Sequence, residues 1–587
     1  MPAAVLLRKQ KALRRDLLNQ THLLGTRIAL LGGSTTTEFA SLLELLLLEE
    51  GIQPDFYFSD YNKYFEEAVL DPSRLIQFGP NLVFVYTSSI NIQGRAVLEA
   101  TEDDFAAHVT SEYMRFASIW NALDEFVGGM VIQNNFELPA QRLLGNFDLI
   151  SAAGSVRFVN QLNSEFAREA GKRTKLFLND LNAVAASVGL KNFHDPRRWY
   201  GYKIFSTPEA SLEIAKSAAG IVRAIYGRTR KCLVLDLDNT LWGGVIGDDG
   251  PEKIKIGRET PEAEAYSAFQ EYCLRLRDRG ILLAVCSKNS ESIARQGFAH
   301  PDSVLKLHHI SSFKANWDAK YQNVKAIAAE LNIGLDSLVF VDDNPAEREI
   351  ISAQLPMVAV PNVGSDPTGF ISVLEDGRYF ESVRLSREDL ERSQQYEANA
   401  QRTAVESRFE TYDEYLDSLE MSAEIAPFKP VYVDRIAQLI NKTNQFNLTT
   451  RRYTRAEVES LASNPSCITL YGKLADKFGD SGLISIIIGR REGSILHVDL
   501  WIMSCRVLKR GVELIMLDSL ISACQRDGIA EVLGYYIPTE KNGLVADHYA
   551  KLGFERAGGN EQKSIWKLKV SREYAPRNKY IKEPVHE

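Results

Sequence analysis

The stretch "KCLVLDLDNTLWGGVIGDDG", residues 231–250, decides how the middle of the chain folds. Cys232 to Leu235 form an apolar run of strand length, with Leu237 continuing it. Asp236 and Asp238 interrupt that run where it ends. Strand side chains alternate, so the two carboxylates point to the same side and Leu237 to the other. Asn239, Thr240 and the pair Gly243–Gly244 then read as a turn that opens a loop.

Working outward, "GILLAVCSK" (280–288), "SLVFVDD" (337–343) and "MVAV" (357–360) read as further buried strands. Between the first two lies "TPEAEAYSAFQEYCLRLRDRG", a helix with Thr260 as its cap, Pro261 in its first turn and Gly280 as its stop. Apolar runs alternating with helices predict a doubly wound parallel sheet. Such a sheet binds ligands outside the carboxyl ends of its strands. Asp236, Asp238, Ser287, Asp342 and Asp343 all fall at such ends, with Lys314 and Lys320 following in "FKANWDAK".

That set suits phosphoryl transfer. Asp236 can attack phosphorus and Asp238 can give a proton to the leaving oxygen, then take one from water. Mg2+ takes oxygen ligands; Asp236, the Asp238 carbonyl and Asp343 would hold it, with Asp342 assisting. Ser287 and Lys320 would bind the phosphoryl oxygens. Lys320 is preferred to Lys314 because it opens the helix "KYQNVKAIAAELN". Asn239 and Thr240 are further candidates for the phosphate, Thr240 also for steadying the turn and Asp238.

Residues 1–205 show the same grammar, with "RIALLGGS" (27–34), "NLVFVYTSS" (81–89) and "GGMVIQNNF" (128–136) as strands. Residues 416–571 change character: "GLISIIIGRR", "SILHVDLWIMS" and "AEVLGYYIP" surround the helix "KRGVELIMLDSLISACQRDG". The expected fold class is α/β, with two Rossmann-like parallel-sheet domains followed by a mixed-sheet domain. The expected boundaries are 1–205, 206–376, a helical linker 377–415, 416–571 and a polar tail 572–587. A length of 587 residues accommodates them.

Bulk numbers exclude several classes. A net charge of −9 argues against a chain built for nucleic acid or anionic membrane. "LLELLLLEEG" (42–51) is far short of the roughly 20 apolar residues of a membrane span. Six cysteines without a CxxC pair point to a reducing, cytoplasmic setting.

"DLDNT", "CSKN", "WDAK" and "VFVDDNPAERE" resemble the four motifs of the haloacid dehalogenase superfamily. "DLDNTLWGGVIGDDG" is similar to its FkbH-like branch, as are "QLINKTNQFNLTTRRY", "DKFGDSGLISIII", "IMSCRVLKRGVE" and "YIPTEKN…YAKLGF". The resemblance implies a glyceryltransferase/phosphatase that takes 1,3-bisphosphoglycerate and loads glyceryl onto an acyl carrier protein for polyketide-type biosynthesis. The segment between Thr240 and Ser287 leaves room for a small flap rather than a large cap.

The C-terminal domain resembles N-acetyltransferases, in which a loop grips a coenzyme pyrophosphate at a helix N-terminus. Arg506 and Gly511 match that loop, but Lys509 stands where its first glycine would be, which disfavours acetyl-CoA. The resemblance allows a carrier's phosphopantetheine instead, with Asn444, Gln445 and Asn447 reading its chain. Lys509, Arg510, Arg451 and Arg452 are candidates to meet an acidic carrier. Cys505 is the candidate acyl acceptor, a thiol near Arg506 and a helix start; Cys232 and Cys286 are rivals, and a plain buried cysteine is the bland alternative. The N-terminal domain resembles SGNH hydrolases, with Ser34, Asn134 or Asn135, and His194 as esterase-like candidates. Its Asp-x-x-His is missing, since "FHDPRRWY" places Asp195 beside His194 and puts Arg198 in the histidine position. Two other readings stand beside the first: a magnesium phosphatase of another phosphomonoester with scaffold flanks, and a carrier-docking module without catalysis.

Overall fold

A computed structural model describes residues 3–19, 23–94, 97–385, 398, 402, 405, 409–443, 445–504, 507–539 and 542–583. The chain divides into two compact units, Met1–Ile225 and Tyr226–Glu587.

The first unit is built on β1 (Leu24–Gly32), β2 (Ile52–Phe58), β3 (Leu82–Tyr86), β4 (Met130–Asn134) and β5 (Leu176–Asn179). Their order is β2-β1-β3-β4-β5, with every pair parallel. The order reverses between β1 and β3, so Ser34 and Ser88 follow strands at the switch point. One face is closed by an aromatic core in which Phe166 packs on Phe116, Trp120 and Phe136. The expected boundary at 205 is corrected: helix Pro208–Ile225 belongs to this unit, where it packs on helix Thr37–Glu49. Its run of Ala215, Ala218, Ala219 and Gly220 is small enough to allow close helix approach.

The second unit carries two sheets. The first contains β6 (Cys232–Leu235), β7 (Leu282–Ser287), β8 (Ser312–Ala315) and β9 (Leu338–Val341), in the order β8-β7-β6-β9 and all parallel. The expected strand at 357–360 is reduced to a single bridge between Val339 and Ala359. The edge strand is instead β8, which carries Lys314 and was not expected from the pattern. After β6 the chain makes a flap: Gly243 and Lys255 pair as an antiparallel bridge around the short helix Ile246–Asp249. Thr260 caps helix Pro261–Asp278 through its hydroxyl, as its sequence indicated.

The second sheet contains β10 (Ser422–Ala426), β11 (Cys467–Asp476), β12 (Gly479–Glu492), β13 (Ile495–Met503), β14 (Glu531–Tyr536), β15 (Glu555–Gly559) and β16 (Ser564–Lys569). It is antiparallel except between β13 and β14. That pairing runs only from Ile495 to Val498, and Phe446–Leu448 bonds to β13 beyond it. The polar tail expected from 572 is a structured belt: Lys582 bridges Ser422, Ile581 is buried, and the Tyr574 hydroxyl donates to Asp518. Much of the expected linker 377–415 lies outside the described residues. Among the described ones, Arg402 is buried against Asp476 at 2.7 Å and Tyr412–Ser418 is helical. No helix among the described residues is long and apolar enough to cross a membrane.

Phe166 is fully buried among three other aromatic rings. Phe166→Ala should therefore cost the first unit about 3–5 kcal/mol, read as a lowered urea midpoint; an unchanged midpoint would show that this core does not hold the unit together.

Candidate active site

The sheet β8-β7-β6-β9 brings three carboxylates and one ammonium to its carboxyl edge. Asp236 leaves β6 with its amide bonded to the Val341 carbonyl of β9, so the two strand ends are in register. Asp342 and Asp343 follow β9. One ligand oxygen from each of Asp236, Asp342 and Asp343 lies within 4.8 Å of the others. Lys320, the first residue of helix Lys320–Glu330, reaches Asp236 Oδ2 at 3.0 Å and Asp342 Oδ2 at 2.6 Å. Asp236 Oδ1 is buried and has no hydrogen-bond partner among the described residues.

Burial governs the electrostatics. It raises Asp342 and Asp343 above the ordinary carboxylate range, and the charge of Asp236 adds to both shifts. Burial alone pulls Lys320 down, but Asp236 and Asp342 together outweigh it, so the ammonium is held more firmly than a free lysine's. Asp238 is raised as well, first by burial, against the hydrogen bonds it accepts from Ile246 and Trp242.

The surrounding turns hold this set in shape. The Asp343 amide donates to Thr240 Oγ1 at 3.2 Å, tying the turn after β6 to the turn after β9. Thr240 is fully buried, so its expected contact with phosphate is corrected to a positioning role; it steadies Asp343 rather than Asp238. Asn239 is likewise corrected: it sits at φ 54 and its Oδ1 accepts the Gly244 amide, holding the base of the flap. Arg348 donates to the Asp342 and Asp343 carbonyls at 2.7 and 2.6 Å. The sequence pattern gives Arg348 no role, although it stands one helical turn after the Asn344 cap in "DDNPAER", where it can reach back. Ser287 ends β7, nearly buried, and its carbonyl accepts the Asn316 amide at 3.2 Å. Lys314 is not part of the cluster, because it pairs with Glu330 at 2.7 Å.

The model for the FkbH N-terminal domain matches residues 27–219. A crystal structure of the N-terminal part of the protein BF1531 from Bacteroides fragilis, containing a phosphatase domain complexed with Mg, is 31% identical. It covers 64% of this chain and 99% of that one, with a TM-score of 0.59. The chain belongs to the FkbH-like family of the haloacid dehalogenase superfamily. Two acetyltransferase structures match smaller parts of it. The ribosomal-protein-S18-alanine N-acetyltransferase from Escherichia coli is 14% identical over 27% of this chain and 99% of that one, with a TM-score of 0.21. A GNAT-family acetyltransferase from Streptococcus pneumoniae is 16% identical over 26% and 100%, also at 0.21. Neither likeness bears on the activity. No curated protein matches the chain.

Other candidates of this FkbH-like chain divide between sites and scaffolding. Cys232 and Cys286 are buried, and burial pushes both thiols up, so neither is a ready thiolate. Cys505, Arg506 and Asn444 lie outside the described residues. Asn447 accepts the Thr449 and Thr450 amides on its own oxygen and donates to the Thr443 carbonyl, which corrects its expected role in reading pantetheine. Gln445 sits in the turn before it, and Phe446 packs edge-on to the His548 ring. Arg510 is buried with Asp476 at 3.2 Å. Arg452 donates to the Ile440 and Thr443 carbonyls, and burial lowers it to about 10. These two arginines are therefore structural, and the expected basic face narrows to Lys509 and to Arg451, which pairs with Asp499. Lys509 adopts φ 66 and Gly511 φ 75, so the loop before helix Val512–Arg526 is left-handed at both places.

In the first unit Ser34 is buried, with no partner for its hydroxyl among the described residues. His194 faces Glu137 Oε1 with Nε2 at 3.1 Å and the Phe205 carbonyl with Nδ1 at 3.3 Å. Both ring nitrogens meet acceptors, an arrangement that favours the imidazolium form, which donates through both and has no lone pair to offer Ser34. Asn135 donates to Asp180 and accepts the Asn182 amide, which makes it a helix-end residue rather than an esterase one. Asn134 bonds Thr87 and Asn179 inside the sheet. Asp195 caps helix Pro196–Tyr202, and Arg198 pairs with Glu38 at 2.6 Å. Asn91 reaches this turn, donating to the Gly33 carbonyl at 2.8 Å, and Glu137, the partner of His194, accepts from Ser89. Neither was expected; each lies a few residues past a strand end, where sequence shows only a polar loop.

Both charged clusters can be tested by substitution. Lys320→Met leaves Asp236 and Asp342 without their cation, and in chelator should destabilise the second unit by about 3–5 kcal/mol in urea unfolding; unchanged stability would show that the cluster needs no internal cation. His194 is shifted upward by Glu137 and the Phe205 carbonyl, although burial opposes them. A raised folded value stabilises fully below the ordinary imidazole range, and the contribution is lost as pH rises through the raised value. His194→Gln should therefore cost more at pH ~6 than at pH ~9; equal costs would contradict the pairing.

Proposed function

We propose that this chain is a magnesium-dependent phosphatase that also transfers glyceryl, taking 1,3-bisphosphoglycerate and loading an acyl carrier protein. The observation that carries the phosphatase half is the cluster of Asp236, Asp342 and Asp343 around Lys320, with an orphaned buried oxygen on Asp236.

The donor set fits Mg2+, a hard cation that prefers carboxylate oxygens and accepts substrate phosphate beside them. Asp236, the Asp238 carbonyl and Asp343 would hold it, with Asp342 assisting. When bound, it supplies positive charge that lets two anions approach. Asp342 has one oxygen on Lys320 and the other on the Asn344 amide, which suits an assisting place. The chain's own residues do the rest. Asp236 attacks phosphorus from a fixed direction, since Lys320 pins one oxygen and leaves the other. Lys320 and the Ser287 hydroxyl receive the phosphoryl oxygens. Asp238, whose carboxyl is raised by burial, can carry the proton that the leaving oxygen needs.

The acyl half rests on family membership and on the sequence around Cys505. The Cys505 thiol would attack the acyl carbon and expel the C1 phosphate, leaving a 3-phosphoglyceryl thioester; the remaining phosphoester would be hydrolysed at Asp236, and the glyceryl group would then pass to the carrier's phosphopantetheine thiol, freeing Cys505. The arginines spent internally at 452 and 510 favour the second reading to one extent: they leave fewer cations for an acidic carrier. That reading is a magnesium phosphatase of another small phosphomonoester, with the other domains as scaffold.

Incubation with 1,3-bisphosphoglycerate and Mg2+, followed by intact-protein mass, separates them. A glyceryl adduct that Cys505→Ala abolishes is the expected result; phosphate release with no adduct and no carrier loading leaves only the phosphatase. Asp236→Asn should reduce phosphate release at least about 1000-fold, and chelation should abolish it until Mg2+ is restored. Survival of release in Asp236→Asn would remove the assignment.

A further inference from the structure

Asp238 is held by more than its own turn. Trp242 Nε1 and the Ile246 amide donate to Oδ1 at 2.9 and 3.0 Å, and Asn289 Nδ2 donates to Oδ2 at 3.0 Å. The first two come from the flap, and Asn289 comes from the loop after β7, which also carries Ser287. Two separate elements thus converge on one carboxylate. Neither side chain has room to wander. Trp242 is fully buried and packs edge-on to Phe298 at 5.6 Å, and a Cβ on Gly297 would stand 2.6 Å from its ring. Asn289 is 4% exposed.

The consequence is directional. Trp242 and Ile246 occupy Oδ1, so the proton of a neutral Asp238 belongs on Oδ2. Asn289 takes one side of Oδ2 and leaves the other for that proton. We propose that Asn289, backed by Trp242, is a positioning residue that aims the Oδ2 proton of Asp238 at the leaving oxygen. The inference rests on the phosphatase reading of this site. In the first step an Asp236 oxygen forms a bond to phosphorus. The bond from phosphorus to the leaving oxygen breaks, its electron pair stays on that oxygen, and the Oδ2 proton moves there. Asp238 is left as a carboxylate. It then takes a proton from the water that attacks phosphorus and releases Asp236.

How far the proton matters depends on the leaving group. An alkoxide is too basic to leave without it, whereas 4-nitrophenolate leaves readily. The test compares kcat/KM for ethyl phosphate and for 4-nitrophenyl phosphate in the full chain with Mg2+. This constant covers steps up to the first irreversible one, so the hydrolysis of the phosphoenzyme does not blur it. Asn289→Ala should lower kcat/KM for ethyl phosphate about 100-fold and that for 4-nitrophenyl phosphate less than about threefold, because general acid catalysis is what is lost. Trp242→Phe, which keeps a ring and deletes the donor, should show the same selectivity more weakly. Asn289→Ser gives the same comparison where the alanine variant does not fold. A merely structural residue would slow both esters alike, and that result, or no loss on ethyl phosphate, overturns the inference. Asp238→Asn is the reference. If it slows both esters equally, the acid role of Asp238 itself is wrong; if it is selective while Asn289→Ala is not, only the positioning role is.

Discussion

Lys320 sits between Asp236 and Asp342, and the rest of the phosphoryl site depends on that contact. Buried carboxylates at this spacing repel and resist ionisation unless a cation compensates them. The ammonium does so from a helix start, where its backbone is fixed, and it is itself buried with the pair. With the charge balanced, Asp236 can remain a nucleophile and keep one oxygen uncommitted. The turn that presents Asp343 is then fastened from two directions, by Thr240 at its amide and Arg348 at the carbonyls. The edge of the sheet is therefore an assembled electrostatic device, in which each charge is placed by a named backbone constraint.

The parts of this device that sit at strand ends were legible in the sequence. "VLDLD", "AVCS" and "VFVDD" announce buried strands by their apolar runs, and parallel topology gathers the residues after each strand at one edge. Helix-start logic also separated Lys320 from Lys314, and the structure gives Lys314 to Glu330. Roles decided by turn geometry were not legible. Asn239 and Thr240 look like phosphate ligands because they are polar and adjacent to the carboxylates. They are instead consumed by the backbone of the flap and of the opposite turn. Arg348 and Asn289 escaped for the complementary reason: their partners are distant in sequence or are main-chain carbonyls, which leave no pattern of residue types.

The same distinction runs through the flanking regions. Runs of arginine and lysine suggested a face for an acidic partner, yet Arg510 and Arg452 are turned inward to Asp476 and to carbonyls. A basic residue type says nothing about which side of a loop it takes. The esterase-like reading of the first unit meets a similar limit. Ser34 and Gly33 occupy the turn that sequence indicated, but the His194 ring is committed to Glu137 and Phe205. The fold places a serine at a switch point, and among the described residues no base is hydrogen-bonded to its hydroxyl.

The central claim is that Asp236 carries the phosphoryl group covalently. Asp238→Asn, which lacks the group that would activate water, can be given a 32P-labelled acyl or aryl phosphate, quenched in acid and digested. The account predicts a hydroxylamine-sensitive label confined to the peptide that contains Asp236. Label on any other residue, or phosphate release with no labelled protein at any time, would contradict it.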